Sequence, residues 1–71
     1  MEIPDLIKGI RIELGLTQKE LADELSVSFS TVNRWENGKT KPNKIALVML
    51  KELCKESRIS KAFLDLIGEK F

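Results

Sequence analysis

Residues 17–42, TQKELADELSVSFSTVNRWENGKTKP, constrain the fold more than any other part of the chain. This stretch contains the start signals of two helices separated by a short segment. Thr17 and Glu20 have the spacing of a capping box, in which the Thr hydroxyl accepts from the Glu amide and the carboxylate accepts from the Thr amide. Ser28 stands where a second N-cap is needed. The pattern predicts helix, tight turn and helix over about residues 17–37.

Each of these two helices has one apolar face. In the second helix, Val32 and Trp35 lie three residues apart and therefore share a face. Gly38 then supplies the left-handed residue that commonly ends a helix. Two amphipathic helices joined by a short turn form a helix-turn-helix, whose second helix can enter a DNA major groove. The inward residues expected in the first helix are Leu21, Ala22 and Leu25.

The second helix is polar on its other face. A helical wheel at roughly 100° per residue places Asn33 and Arg34 opposite the apolar positions. Arg suits the O6 and N7 atoms of guanine, and Asn suits N6 and N7 of adenine. Phe29 falls at the edge between the faces, where it either touches a thymine methyl group or packs on the protein. The residues expected to contact bases are Phe29, Ser30, Asn33 and Arg34.

The chain carries a set of short pieces in a fixed order, which are Gly15-Leu16-Thr17-Gln18, Glu20-Leu21-Ala22, Val27-Ser28, Ser30-Thr31-Val32 and Trp35-Glu36-Asn37-Gly38-Lys39. Together they resemble the Cro/CI-type helix-turn-helix of phage repressors and XRE-family bacterial regulators. The resemblance runs without a gap from about residue 7 to 42 and more loosely to 55. It implies an all-α, compact five-helix, lambda-repressor-like bundle that binds double-stranded DNA.

One position of the turn departs from the family pattern. Ser26 stands where the family usually has Gly. A residue other than Gly costs about 1 kcal/mol in the left-handed conformation. We therefore expect lower stability at this turn and no change of fold.

A basic loop follows the second helix. The residue before Pro42 cannot be helical, and the amides, hydroxyl and ammonium groups of residues 38–43 suit phosphate oxygens. The alternative is an ordinary solvated loop. The resemblance implies that Arg11 pairs with Glu36 and contacts a phosphate, the alternative being a solvated Arg. The residues expected to contact phosphates are Arg11, Gln18, Ser28, Asn37, Lys39, Thr40 and Lys41.

Further helices are predicted on both sides of this motif. The first begins at Pro4 or Asp5, and Gly15 is its C-terminal cap. Another, capped by Asn43, runs from residue 44 to about 55, and its Cys54 is expected to be a small buried hydrophobe rather than a reactive thiol. Its expected inner stripe is Ala46, Leu47, Leu50, Leu53 and Cys54, with Val48 off the stripe.

A fifth helix is predicted after Ser60. Leu64 and Phe71 are large apolar residues beyond those that form one apolar face of this helix. Their side chains would be left outside so small a core, which suggests a contact beyond the core of this domain. The resemblance implies a dimer contact in this region. The alternative is that Phe71 folds back onto the core or frays.

Composition narrows the remaining possibilities. A chain of 71 residues is one domain near the lower size limit, and with no His and one Cys it has no recognisable zinc site or disulfide. No apolar run approaches the ~18 residues that span a membrane, so we expect a cytoplasmic protein without a cofactor. The net charge of +1 is a weak sign of nucleic-acid binding, but Arg34, Lys39, Lys41 and Lys44 concentrate along one edge.

Three functions are compatible with these features. The leading prediction is a sequence-specific DNA-binding domain of a transcriptional regulator, and we expect no catalysis by this domain. The low net charge and the surplus apolar residues near the end also suit an antitoxin-like protein-interaction module. The chain can also be the DNA-targeting domain of a larger enzyme.

Overall fold

The computed structural model describes residues 2–57, which contain four α-helices and no strand. These are α1 (Ile3–Glu13), α2 (Gln18–Leu25), α3 (Phe29–Glu36) and α4 (Lys44–Glu56). The all-helical prediction is confirmed. The fifth helix predicted after Ser60 lies outside the described residues, together with Leu64 and Phe71. The predicted count of five helices is therefore not confirmed.

Side-chain caps begin α2, α3 and α4 at the predicted residues. The capping box is complete, because the Glu20 amide donates to Thr17 Oγ1 at 3.1 Å and the Thr17 amide donates to Glu20 Oε1 at 2.9 Å. Ser28 Oγ and Asn43 Oδ1 accept the corresponding amides in α3 and α4. Helix α1 begins at Ile3, slightly earlier than predicted, with Pro4 in its first turn, where a missing amide hydrogen leaves no bond unmade.

The first three helices end in the same way. The left-handed residues are Gly15 (φ 72°), Ser26 (φ 57°) and Gly38 (φ 74°). After each of them, the next amide donates to a carbonyl five residues earlier, at 2.9 to 3.0 Å, which satisfies groups that a helix end otherwise leaves open. Ser26 therefore takes the backbone conformation expected at the turn without the glycine that favours it.

The helices enclose one hydrophobic core. Helix α3 packs against α1 and α2, and α4 packs against α2. Trp35 is only 4% exposed, and burial of so large a side chain makes it a main source of stability in this small domain. The core residues are Leu6, Ile7, Ile10, Leu21, Ala22, Leu25, Val32, Trp35, Ala46, Leu50 and Cys54.

Helix α4 largely follows its predicted pattern. Burial raises the pKa of the Cys54 thiol to about 11, so the thiol stays protonated at neutral pH, as expected of a small buried hydrophobe. Val48 is exposed, as predicted. Leu47 and Leu53 are only partly buried, since they lie at the margins of the face that α4 turns to the core. No helix within residues 2–57 is long and apolar enough to cross a membrane.

Candidate nucleic-acid interface

The outward face of α3 is an exposed polar surface with one aromatic ring at its edge. Ser30, Arg34 and Asn37 are exposed, and Asn33 is partly buried. Phe29 is 52% exposed and lies outside the hydrophobic core. All of the predicted base-contacting residues therefore lie on or beside the face of α3 opposite Val32 and Trp35.

An ion pair joins α1 to α3 beneath this face. Arg11 Nε donates to Glu36 Oε2 at 2.7 Å, and Arg11 Nη2 donates to Glu36 Oε1 at 3.1 Å. The predicted pairing is confirmed, and its two parallel bonds form the fork that Arg makes with carboxylates. The Arg11 side chain is 16% exposed and that of Glu36 only 3%, so loss of Arg11 would leave a buried carboxylate without its counter-charge.

Arg11 is further fixed by the backbone. Its Nη1 donates to the Leu16 carbonyl at 3.0 Å, next to the start of α2. The hydrogen bond with Glu36 raises the pKa of Arg11 above its ordinary value, burial acts in the opposite direction, and charge attraction to Glu36 adds to the rise. Arg11 therefore remains a cation that links α1, the turn before α2 and α3.

A chain of side-chain amides extends outward from Glu36. Gln18 Nε2 donates to Glu36 Oε1 at 3.2 Å, and Asn33 Nδ2 donates to Gln18 Oε1 at 3.1 Å. Asn37 Nδ2 then donates to Asn33 Oδ1 at 3.0 Å. We call Glu36, Gln18, Asn33 and Asn37 the amide chain. It brings together three predicted DNA-contacting residues, two of which are neighbours only because α2 packs across α3.

Sequence reasoning identified every member of the amide chain and missed the connections between them. Gln18 and Asn33 are separated by 15 residues, and no helical periodicity relates positions on different helices. No signal in the sequence relates Gln18 to Glu36, because their contact depends on how α2 packs across α3. For Glu36, the sequence predicts only the pairing with Arg11.

Ser28 has a local role at the first turn of α3. Its hydroxyl accepts from the Thr31 amide at 3.1 Å and lies 2.8 Å from the Thr31 hydroxyl. The side chain is exposed. Ser28 therefore caps α3, and the amides at the start of a helix favour an anion.

The basic loop follows α3 in the chain. Lys39, Thr40 and Lys41 are exposed, and neither lysine forms an ion pair with another residue in the described part of the chain. Pro42 is buried and anchors the end of the loop. Arg34 on α3 and Lys44 at the start of α4 are exposed as well, so all four cations of the predicted basic edge are accessible to solvent.

A family model described as helix-turn-helix matches residues 7–58. The chain belongs to the helix-turn-helix family. The match confirms the resemblance to Cro/CI-type, XRE-family domains. A helix-turn-helix of this family is a domain for sequence-specific binding of double-stranded DNA and not a catalytic domain.

Several curated proteins contain a similar helix-turn-helix. Type II methyltransferase M1.ScrFI of Lactococcus lactis subsp. cremoris is 45% identical over 49 residues, which are 65% of this chain and 13% of that protein. Type II methyltransferase M.MspI of Moraxella sp is 38% identical over 53 residues, which are 75% of this chain and 13% of that protein. The HTH-type transcriptional activator BcrR of Enterococcus faecalis is 40% identical over 43 residues, 61% of this chain and 21% of that protein.

These relatives are much longer than the chain, which spans only 13% to 21% of their length. Their similarity to this chain therefore concerns the helix-turn-helix and not their other parts. No solved structure gives a significant match to the chain.

Proposed function

We propose that this helix-turn-helix acts in transcriptional regulation by inserting α3 into the major groove of a specific DNA site. Phe29, Ser30, Asn33 and Arg34 contact the bases. Arg34 carries most of the discrimination, because an exposed guanidinium can donate two bonds to guanine. The observation that carries this proposal is the division of α3 into a buried apolar face and an exposed polar face.

Phosphate contacts set the register of the helix in the groove. Lys39, Thr40 and Lys41 approach one strand from the loop, and Gln18 and Ser28 approach phosphates from the starts of α2 and α3. The amide groups at those helix starts favour anions. Arg11 and Asn37 complete the set, with Arg11 held in place by Glu36.

Selection of bound sequences from a random DNA pool tests the proposed function. We expect one preferred motif, with affinity about a thousandfold or more above that for random DNA at physiological salt. Equal binding to all sequences, or no binding at low salt, would contradict it. In that case the antitoxin-like protein-interaction role becomes the better account of the fold.

A second role is supported by the two methyltransferase relatives, since both are enzymes that contain a similar helix-turn-helix. In this role the domain delivers a larger protein to DNA in the bacterial cytoplasm, and catalysis belongs to a separate part. Incubating the full-length gene product with DNA and a labelled methyl donor separates the two roles. Label in the DNA supports the targeting role, whereas binding without methyl transfer supports a regulator.

We further propose that residues 1–71 form one domain that dimerises through its C-terminal segment. Leu64 and Phe71 are large apolar residues in that segment, which lies outside the described residues. A dimer would place two copies of α3 about 34 Å apart and would require a nearly palindromic site. Sedimentation with and without the selected DNA tests this, and a monomer under both conditions would exclude it.

A further inference from the structure

We propose that Glu36 sets the direction of every hydrogen bond in the amide chain and thereby determines which donor and acceptor Asn33 presents to a base pair. Glu36 is then a positioning residue for specificity, acting through Gln18 and Asn33. This inference rests on the proposed function, because it assumes that Asn33 contacts a base in the major groove.

The direction follows from the chemistry of the carboxylate. An ionised carboxylate only accepts hydrogen bonds, so Gln18 must turn its NH2 group toward Glu36. The Gln18 oxygen then faces Asn33, which must donate in turn. The Asn33 oxygen finally faces Asn37, which donates to it. Each amide orientation is thus determined by the preceding one, beginning at the only member that cannot reverse its role.

Burial and the ion pair make this starting point firm. The Glu36 side chain is 3% exposed, so water has little access to replace Gln18 as a donor. Arg11 donates to both carboxylate oxygens and keeps them in one orientation. Side-chain amides elsewhere on a surface can reverse with little change of shape, because their oxygen and nitrogen ends are almost the same size.

The consequence for recognition concerns Asn33. Within residues 2–57, its Nδ2 bonds to Gln18 and its Oδ1 to Asn37, which leaves one N–H and one lone pair for another partner. Adenine recognition requires an amide donor and an amide acceptor in one fixed order. An amide that cannot reverse distinguishes base pairs that differ in this order, whereas a freely turning amide accepts both.

A purely structural role is the competing explanation. The amide chain also braces α2 against α3, and a brace that weakens would lower the affinity for every sequence by the same factor. An orienting role instead changes discrimination at the base pair that faces Asn33 and leaves discrimination by Arg34 unchanged. Base-by-base binding therefore separates the two explanations.

The test uses Gln18→Met, which interrupts the amide chain and leaves the Arg11–Glu36 pair intact. Glu24→Met is the matched control, because Glu24 is exposed on the same helix and has the same unbranched length. Binding is measured to the selected site and to every single base-pair substitution of it. Loss of a Gln18 phosphate contact lowers all affinities equally, so ratios between sites are compared.

The base pair that Asn33 contacts is identified as the one at which Asn33→Ala loses its preference. At this base pair, we expect the parent and Glu24→Met to bind the preferred base about fivefold or more tightly than the others. Gln18→Met should reduce this ratio to less than about twofold. Discrimination at the base pair that Arg34 contacts, identified with Arg34→Ala, should stay unchanged in Gln18→Met. Glu36→Gln, which can donate as well as accept, should reduce the same ratio, with the exposed Glu24→Gln as its control. Evenly reduced affinity in Gln18→Met, with all ratios preserved, would overturn the proposal.

Spectra of the free protein provide a readout that needs no DNA. The side-chain NH2 signals of Asn33 and Asn37 should move toward solvent-exposed values in Gln18→Met and stay unchanged in Glu24→Met. Unchanged Asn33 and Asn37 signals in Gln18→Met would overturn the proposal. If the parent shows no sequence preference, the proposed function fails, and these spectra still decide whether the amide chain orients Asn33.

Discussion

The two faces of α3 differ in their surroundings, because one packs in the hydrophobic core and the other, which we propose contacts DNA, is exposed. Val32 and Trp35, on the inner face, are at most 4% exposed and pack in the core between the other helices. Arg34, on the outer face, is exposed and forms no ion pair with another described residue. A helix of eight residues thus contains positions with opposite physical roles. Substitutions on the two faces should therefore separate folding from DNA binding.

The amide chain occupies the boundary between these faces. The side chain of Glu36 is almost fully buried, Asn33 is partly buried, and Asn37 is exposed. Hydrogen bonds consequently connect the buried carboxylate to the outer face of α3, which we propose contacts DNA. We therefore expect substitutions at this boundary to affect both folding and DNA binding.

The largest expected effect is on the inner face. Trp35→Ala should reduce the free energy of unfolding by about 3–5 kcal/mol, because it removes a buried indole and leaves a cavity. Such a loss approaches the whole stability of a domain this small. Urea or thermal unfolding measures it. Arg34→Ala, one residue away on the outer face, is the control and should unfold within about 0.5 kcal/mol of the parent. Parent-like unfolding of Trp35→Ala would contradict the assignment of the inner face.

The next effect is on the outer face. Arg34→Ala should weaken binding to the preferred DNA site by about 1–3 kcal/mol and change binding to random DNA little, because a bidentate contact to guanine is lost. Arg34→Lys keeps the charge without the planar fork and should lose a similar amount of specificity. Titrations with both DNAs measure this difference. An equal loss on both DNAs would make Arg34 a phosphate contact.

Smaller effects are expected in the loop. Lys39→Ala and Lys41→Ala should weaken binding to preferred and random DNA alike and should reduce the slope of log affinity against log salt by about one each. The physical reason is the loss of one phosphate contact and its released counterion. Lys55→Ala, on α4, is the matched control and should keep the parent slope. A lysine variant that alters sequence preference would mean that the loop also reads bases.

The smallest effect concerns the turn that sets α3 against α2. Ser26→Gly should stabilise the domain by about 0.5–1 kcal/mol, because it removes the strain of a left-handed residue that carries a side chain, partly offset by backbone entropy. Ser57→Gly is a suitable control, since Ser57 follows α4 with a φ of −87° and gains no such relief. Thermal unfolding detects the difference. DNA preference should not change, and a changed preference would show that the turn adjusts the outer face.

Local chemistry in the sequence was sufficient for the helices and their ends. The capping box of Thr17 and Glu20, the cap at Asn43 and the left-handed residues Gly15 and Gly38 all act within a few residues. Apolar spacing likewise predicted the burial of Trp35. The start of α1 was less well predicted, because Glu2 provides no side-chain cap as a signal.

Tertiary structure decided how the predicted site residues meet. Helical periodicity was sufficient to predict a polar face on α3, because it assigns each residue to one side of the helix. Only the packing of α2 across α3 brings Gln18 between Glu36 and Asn33, since hydrogen bonds between helices depend on their relative position and leave no periodic signal. The sequence predicted the side chains of the candidate interface, and the packing of the helices determined which of them share hydrogen bonds.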